Sequence, residues 1–283
     1  IFSGGNDCDD TDFAVGSDTD FDEDGSPCSE DCDDTNNMIY PEAEEIIGDG
    51  IDQNCDGVDT QFTPFVGDLQ RPSQILADMI CSSHNVVYGD IYLDLDDYVN
   101  GNSVLSCLEE VYGYLEISDG TVGSVVSFPN LTIVTDSLSL YDSGTYDFPL
   151  LETVGASFEI NENSTSMILD GDISFPSLSS VTDDVSISEN NGFTSIEGFS
   201  NLTNIGEGFG IYENQNLTNI SGFEGLTILD RLSIGLNQNL LDISGFTYLD
   251  SLNIVELYEN PALVSSTGIS QVQSIFSSDI YDN

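Results

Sequence analysis

The chain has 283 residues, 39% of them apolar, enough to bury a core in one large or two medium domains. It carries 52 Asp and Glu against two basic residues, Arg71 and Arg231, with no lysine and one histidine, for a formal charge of -50. That balance excludes nucleic acid as a partner, because phosphate binding runs on Lys and Arg, together with P-loop, Schiff-base and HExxH chemistry and attraction to anionic membrane.

The sequence starts at Ile1 without a basic leader or a long apolar run, and no stretch of about 18 apolar residues follows. It reads as a processed, soluble, extracellular or cell-surface chain with no direct membrane insertion. Six cysteines, at 8, 28, 32, 55, 81 and 107, read as disulfides formed in an oxidising compartment. A thiolate zinc cluster is the competing reading, but Cys28 and Cys32 lack a second close pair or histidines.

Residues 1–60 contain 20 of the acidic residues and no basic one. Within them Asp20, Asp22, Asp24, Gly25 and Asp31 follow the spacing D-x-D-x-D-G-x5-acid. A hard cation needs six to eight oxygens, alternate short carboxylates converge on one point, and glycine at the sixth position permits the turn. Ser26 would add a main-chain carbonyl and Asp31 the closing carboxylate. No helical pattern flanks the loop, so the expectation is a compact, disulfide-pinned calcium module rather than an EF-hand. A second run, Asp52, Asn54, Asp56 and Gly57, repeats the pattern without a closing acid. Its sphere is expected to be completed by Asp33, Asp34 and Glu45. The hexapeptide at 7–12 recurs at 31–36, one and a half repeats in all.

The stretch from Asp22 to Asp59, within a repeat of about 7–59, resembles the MopE-type metal-binding repeat of secreted and surface bacterial proteins. The resemblance implies metal binding, with the ion holding the module together. The family's usual disulfide pairing does not carry over, because Cys8 is additional and Ile47 stands near where the family often has a cysteine. Cys8, Cys28, Cys32 and Cys55 pair among themselves in one of three ways.

Residues 61–74, with two prolines and no periodicity, read as a linker. From 75 to 283 the signal is repetition. An apolar-x-apolar pair recurs as Ile91/Leu93, Leu115/Ile117, Leu138/Leu140, Phe158/Ile160, Val185/Ile187, Phe209/Ile211, Leu232/Ile234 and Val255/Leu257. The spacing of 20 to 27 residues predicts a mainly β, right-handed β-solenoid of about eight coils, in the length class of leucine-rich repeats. Phe128-Leu131-Val134, Phe148-Leu151-Val154, Phe175-Leu178-Val181 and Phe199-Leu202-Ile205 fill its other walls. Asparagine recurs at 163, 190, 214, 237 and 260, which predicts an internal ladder satisfying the backbone where the chain bends inward. Ser, Thr, Asn and Gly between the apolar positions disfavour helices, and a domain of strand and turn is expected.

These phrases, led by Cys107-Leu-Glu-Glu-Val-Tyr-Gly113-Tyr-Leu115-Glu-Ile117, resemble the receptor L domain over about residues 75–270. That resemblance implies a leucine-rich-repeat-related solenoid, capped by a Cys81–Cys107 bridge, in a family that binds proteins or sugars.

Outward positions on the strand ladder include Tyr92, Tyr141, Tyr212 and Tyr258, a candidate binding face. Asn130, Asn201, Asn216 and Asn219 head N-x-[ST] sequons, candidate glycosylation sites, whereas Asn163 falls on the ladder. His84 is expected in a loop. Asp183-Asp184 or Asp96-Asp97 could be nominated for glycoside hydrolysis, but neither has a basic or histidine partner nearby in sequence. The expectation is a non-enzymatic, calcium-binding, secreted structural protein acting by adhesion or self-assembly. Docking of Ile1-Phe2 and Ile280-Tyr281 onto a neighbouring copy would build a filament or sheath. The rival expectation is a monomeric receptor-like module capturing a glycan or peptide on its strand face.

Overall fold

The computed structural model describes residues 19–46, 49–59, 61–98, 105–118, 125–141, 145–161, 173–264, 267–272 and 274–281. Ile1-Phe2, the hexapeptide at 7–12 with Cys8, Ile47 and Asn163 lie outside them. The chain divides into two compact units, Ile1–Thr63 and Pro64–Asn283.

The second unit is a β-solenoid. Its long wall is a parallel ten-stranded sheet of Leu69–Gln70, Ile91–Asp94, Leu115–Ser118, Leu138–Tyr141, Phe158–Asn161, Val185–Ser188, Gly208–Tyr212, Ile228–Gly235, Ser251–Tyr258 and Ser274–Tyr281. The eight strands expected from the apolar pairs are all present, with one more at either end. They stack in register, Ile91 on Leu115 on Leu138 on Phe158 and so on to Val255. Register is strongly specified because one face is buried, and a slip of one residue would turn every apolar side chain to solvent. A second parallel sheet, of Phe65–Val66, Val86–Tyr88, Glu110–Tyr112, Ile133–Val134, Thr153–Val154, Ser180–Val181 and Asn204–Ile205, forms the adjoining wall. Seven turns of the chain therefore supply a strand to each wall. Two of the next strands, Ile228–Gly235 and Ser251–Tyr258, run on through the corner.

Between the walls Phe128, Phe148, Phe175, Phe199, Phe223 and Phe246 stack in one column, with centroids 5.0–5.5 Å apart and planes within 13°. One phenylalanine per coil buries a large apolar area that no single coil could cover. The asparagine ladder forms at Asn190, Asn214, Asn237 and Asn260, all fully buried. Each amide nitrogen donates to a strand carbonyl of the preceding coil, as Asn214 Nδ2 does to Ile187 O at 2.9 Å, and the backbone N–H of Asn190, Asn214 and Asn237 donates to the next asparagine's Oδ1. The residue before each rung, Glu189, Glu213, Leu236 or Glu259, is left-handed, with φ between 50° and 60°. This kink aims the asparagine inward.

Two expectations need correction. The stretch read as a linker, 61–74, is largely solenoid, because Phe65–Val66 and Leu69–Gln70 pair with the next coil. Two-residue strands are too short to show an alternation in sequence. The helix-free expectation also misses an eight-residue helix, Gln74–Cys81, whose N-cap Ser73 accepts from Leu76 N–H. Its Ala77 and Ile80 cover the first coil. Cys81 is bridged to Cys107, as the L-domain resemblance implies. His84 follows this helix in a loop, as expected, its ring edge-on to Phe65.

Candidate metal centre

The N-terminal unit has little regular structure, so its shape comes from turns held by side chains. In the first loop Asp20 accepts from Glu23 N–H (2.7 Å) and Gly25 N–H (3.0 Å), Asp22 from Asp24 N–H (3.2 Å), and Asp24 from Ser26 N–H (2.8 Å). Asp31 accepts from Asp33 N–H and Asp34 from Phe21 N–H. In Asp22, Asp24, Asp31 and Asp34 this uses one carboxylate oxygen, and the other, Oδ2, is buried with no hydrogen-bond partner. These residues fall in two triads: one carboxylate oxygen each of Asp22, Asp24 and Asp31 lie within 4.8 Å of one another, as do those of Asp20, Asp22 and Asp34. Asp31 is only 4% exposed.

Buried, unpaired carboxylate oxygens facing one another are costly without a cation. Loss of hydration lifts the carboxyls of Asp22 and Asp31 above the ordinary carboxylate range. In each, a backbone N–H opposes the shift and neighbouring carboxylates add to it, Asp24 and Asp20 for Asp22, Asp24 and Asp22 for Asp31. The set is all oxygen. The described cysteines are all in disulfides, and His84 belongs to the other unit. A hard divalent cation fits this donor set, and the residues that could hold it are Asp20, Asp22, Asp24, Asp31 and Asp34.

The second loop has the same backbone design. Gly57 N–H donates to Asp52 (2.7 Å), Asp56 N–H to Asn54 (2.9 Å) and Val58 N–H to Asp56 (2.9 Å), matching Gly25, Asp24 and Ser26 in the first. Left-handed Glu23 and Cys55 (φ 64° and 62°) occupy equivalent places, as do Gly25 and Gly57 (φ 104° and 94°). Glu45 approaches this loop, accepting from Asn54 N–H at 2.8 Å. Asp34, expected here, stands instead with the first loop, and Asp33 turns to Thr35. Asp59 was not foreseen: its Oδ1 is buried and unpaired while Oδ2 takes Gly50 N–H. Ser26 contributes an N–H in the described contacts. Cys32 pairs with Cys55, one of the three connectivities left open, and Cys28 is also bridged.

A metal-binding motif is found in this unit in two pieces, which leave out Asp22 and Asp24. Residues 7–20 and 31–60 match the Cu-binding MopE family, a metal-binding motif. No curated protein and no solved structure matches the chain.

On the outer face of the long sheet the candidate tyrosines are half-buried and engaged. Tyr92 meets Tyr114 edge-on at 5.4 Å, Tyr114 donates to Glu116, and Tyr141 to Glu159. Burial raises the phenols of Tyr92, Tyr114 and Tyr141, so they stay neutral donors. Tyr212 folds over Gly210 and Tyr258 over Gly235, where any Cβ would lie within 2.4 Å of the ring. More exposed than these are Tyr88 and Tyr112, at 44% and 40%, 4.6 Å apart on the seven-stranded sheet and in line with Val66. Sequence reasoning passed over them because each ends a three-residue strand.

The sequon asparagines have structural employment. Asn130, Asn201 and Asn216 each donate Nδ2 to a carbonyl of the preceding coil, Ser106, Pro176 and Asn191, and Thr132, Thr203 and Thr218 do the same with Oγ1. Asn219 donates to Ser221. The recurring N-L-T phrase is thus a coil-to-coil staple. Of the nominated carboxylate pairs, Asp97 is ion-paired with Arg71, which also binds Asp94.

Proposed function

We propose that the chain is a secreted, non-enzymatic, calcium-binding protein of the cell surface or extracellular matrix, acting by adhesion or self-assembly. The observation that carries the calcium reading is that Asp22, Asp24, Asp31 and Asp34 each bury an unpartnered carboxylate oxygen and belong to two acidic triads, Asp22–Asp24–Asp31 and Asp20–Asp22–Asp34, that share Asp22. Calcium rather than copper follows from the chemistry: the donors are hard oxygens, with no imidazole or free thiol among the described residues of that unit. When bound, the ion supplies the positive charge that lets these carboxylates stay ionised together. Disulfides favour an oxidising compartment. Among the described residues no helix is long and apolar enough to cross a membrane. The solenoid is read as L-domain-like and right-handed, the sense parallel crossovers take. Its repeating parallel sheets suit a filament or sheath.

Thermal unfolding with and without EDTA, read with light scattering on the same sample, tests this. Chelation should lower the stability of the N-terminal unit and dissolve large particles. A second reading, a monomeric module that captures a glycan or peptide, is favoured by the exposed Tyr88–Tyr112 pair. Glycan-array binding lost in a Tyr88→Ser/Tyr112→Ser variant, with no large particles in calcium, would support it.

A further inference from the structure

The two loops meet at one covalent link. Cys32 lies between Asp31, the closing residue of the first loop, and Asp34, which joins that loop from beyond it. Cys55 is the left-handed turn residue of the second loop, between Asn54 and Asp56. The bridge therefore ties the closing arm of one loop to the turn of the other. Cys32 N–H lies 3.3 Å from Cys55 Sγ, and the Asp31 carboxylate is within 4.8 Å of both sulfurs.

We propose that the Cys32–Cys55 disulfide is a positioning element of the metal centre, so that metal occupancy and the oxidised bridge stabilise each other. The inference rests on the calcium reading above. Its physical basis is that Asp31 and Asp34 are repelled by Asp20, Asp22 and Asp24 until a cation is present. In the oxidised chain a link across 23 residues holds the arm near the loop, and the entropy of bringing it there is spent in advance. In the reduced chain the ion must gather the arm itself. By linkage, whatever factor the bridge adds to calcium affinity, calcium adds to the bridge's resistance to reduction. Cys32 is exposed, so the bridge is open to thiol exchange.

The test uses the intact chain, equilibrated in mixtures of dithiothreitol and its oxidised form, with calcium or metal-free. Each bridge opened takes two electrons and two protons from one dithiothreitol, which leaves as its cyclic disulfide. Alkylation and mass spectrometry then report the reduced fraction of each cysteine pair. Calcium should shift the reduction equilibrium of Cys32–Cys55 by about tenfold, inside the usual range of coupling between sites, and leave Cys81–Cys107 unmoved. A Cys32→Ser/Cys55→Ser variant should lose calcium affinity by the same factor in calorimetry. An unshifted equilibrium in a chain that calorimetry shows to bind calcium overturns the inference and spares the calcium reading. Absence of calcium binding to the oxidised chain overturns both.

Discussion

Asp31 illustrates how much one residue carries in the N-terminal unit. One of its oxygens holds the 31–33 turn, the other is buried without a partner, and the carboxylate shares a triad with Asp22 and Asp24. Asp31→Asn keeps the turn but removes a charge from the ligand set, and calorimetry should find calcium affinity lower by about tenfold or more. The raised carboxyls of Asp22 and Asp31 give the metal-free unit a defined pH response. Their folded values lie above the unfolded value of 3.8, so the folded form retains protons the unfolded form has released. Stability from those protons is full below about that value and is lost as pH rises through the raised values. Melting of the dialysed, metal-free protein should therefore show this unit weaker at neutral pH than near pH 4. Calcium at neutral pH should remove the difference. In the solenoid, Asn214 accepts from Asn190 and donates to Ile187, Tyr212 and Asn237. Asn214→Ala strands several of these buried groups, each worth about 1–3 kcal/mol. Asn214→Asp, which cannot donate, should destabilise comparably in denaturant titrations. An unchanged midpoint for the Asp variant would sink the ladder account.

At the scale of elements, the corners decide what the coil can be. Gly206 sits where a Cβ would lie 1.7 Å from Thr182 O of the coil before, and Gly155 is similarly placed against Thr135 O. Gly206→Ala should cost about 1–3 kcal/mol or more in urea unfolding, because backbone must move to admit the methyl. The Phe199 ring stacks between Phe175 and Phe223, and Phe199→Ala should cost about 3–5 kcal/mol in the same experiment. The first coil is closed differently, by the helix Gln74–Cys81, the Cys81–Cys107 bridge, and Arg71 paired with Asp94 and Asp97. Tyr98 donates to Pro72 O in the same cap, and burial pushes its phenol up to about 12.

For the whole molecule, two units with different sources of stability should unfold separately. The solenoid rests on apolar stacking and in-register ladders, neither of which involves an ion. The N-terminal unit rests on disulfides and on side-chain turns around mutually repelling carboxylates. Hydrogen exchange with and without EDTA should show protection lost in residues 19–59 and kept in the strands from Ile91 to Tyr258. Loss in both units together would contradict independent stabilisation.

What the sequence alone determined is whatever repeats with a period. The inward pairs, the phenylalanine column, the asparagine rungs and the D-x-D-x-D-G loops each follow from spacing, because one geometry reused in every coil imposes one residue type at one place. The tertiary structure decided what depends on distant segments meeting. Asp34 joined the first loop and not the second because the chain folds back at Asp33 and Phe21 N–H captures its carboxylate. The long-sheet tyrosines lost part of their freedom to glycines and acids on their own and neighbouring strands, while Tyr88 and Tyr112 stay more exposed on a wall whose strands are too short to read. The supposed linker became the first coil because its short strands are stabilised by pairing with the next coil and carry no local signal of their own.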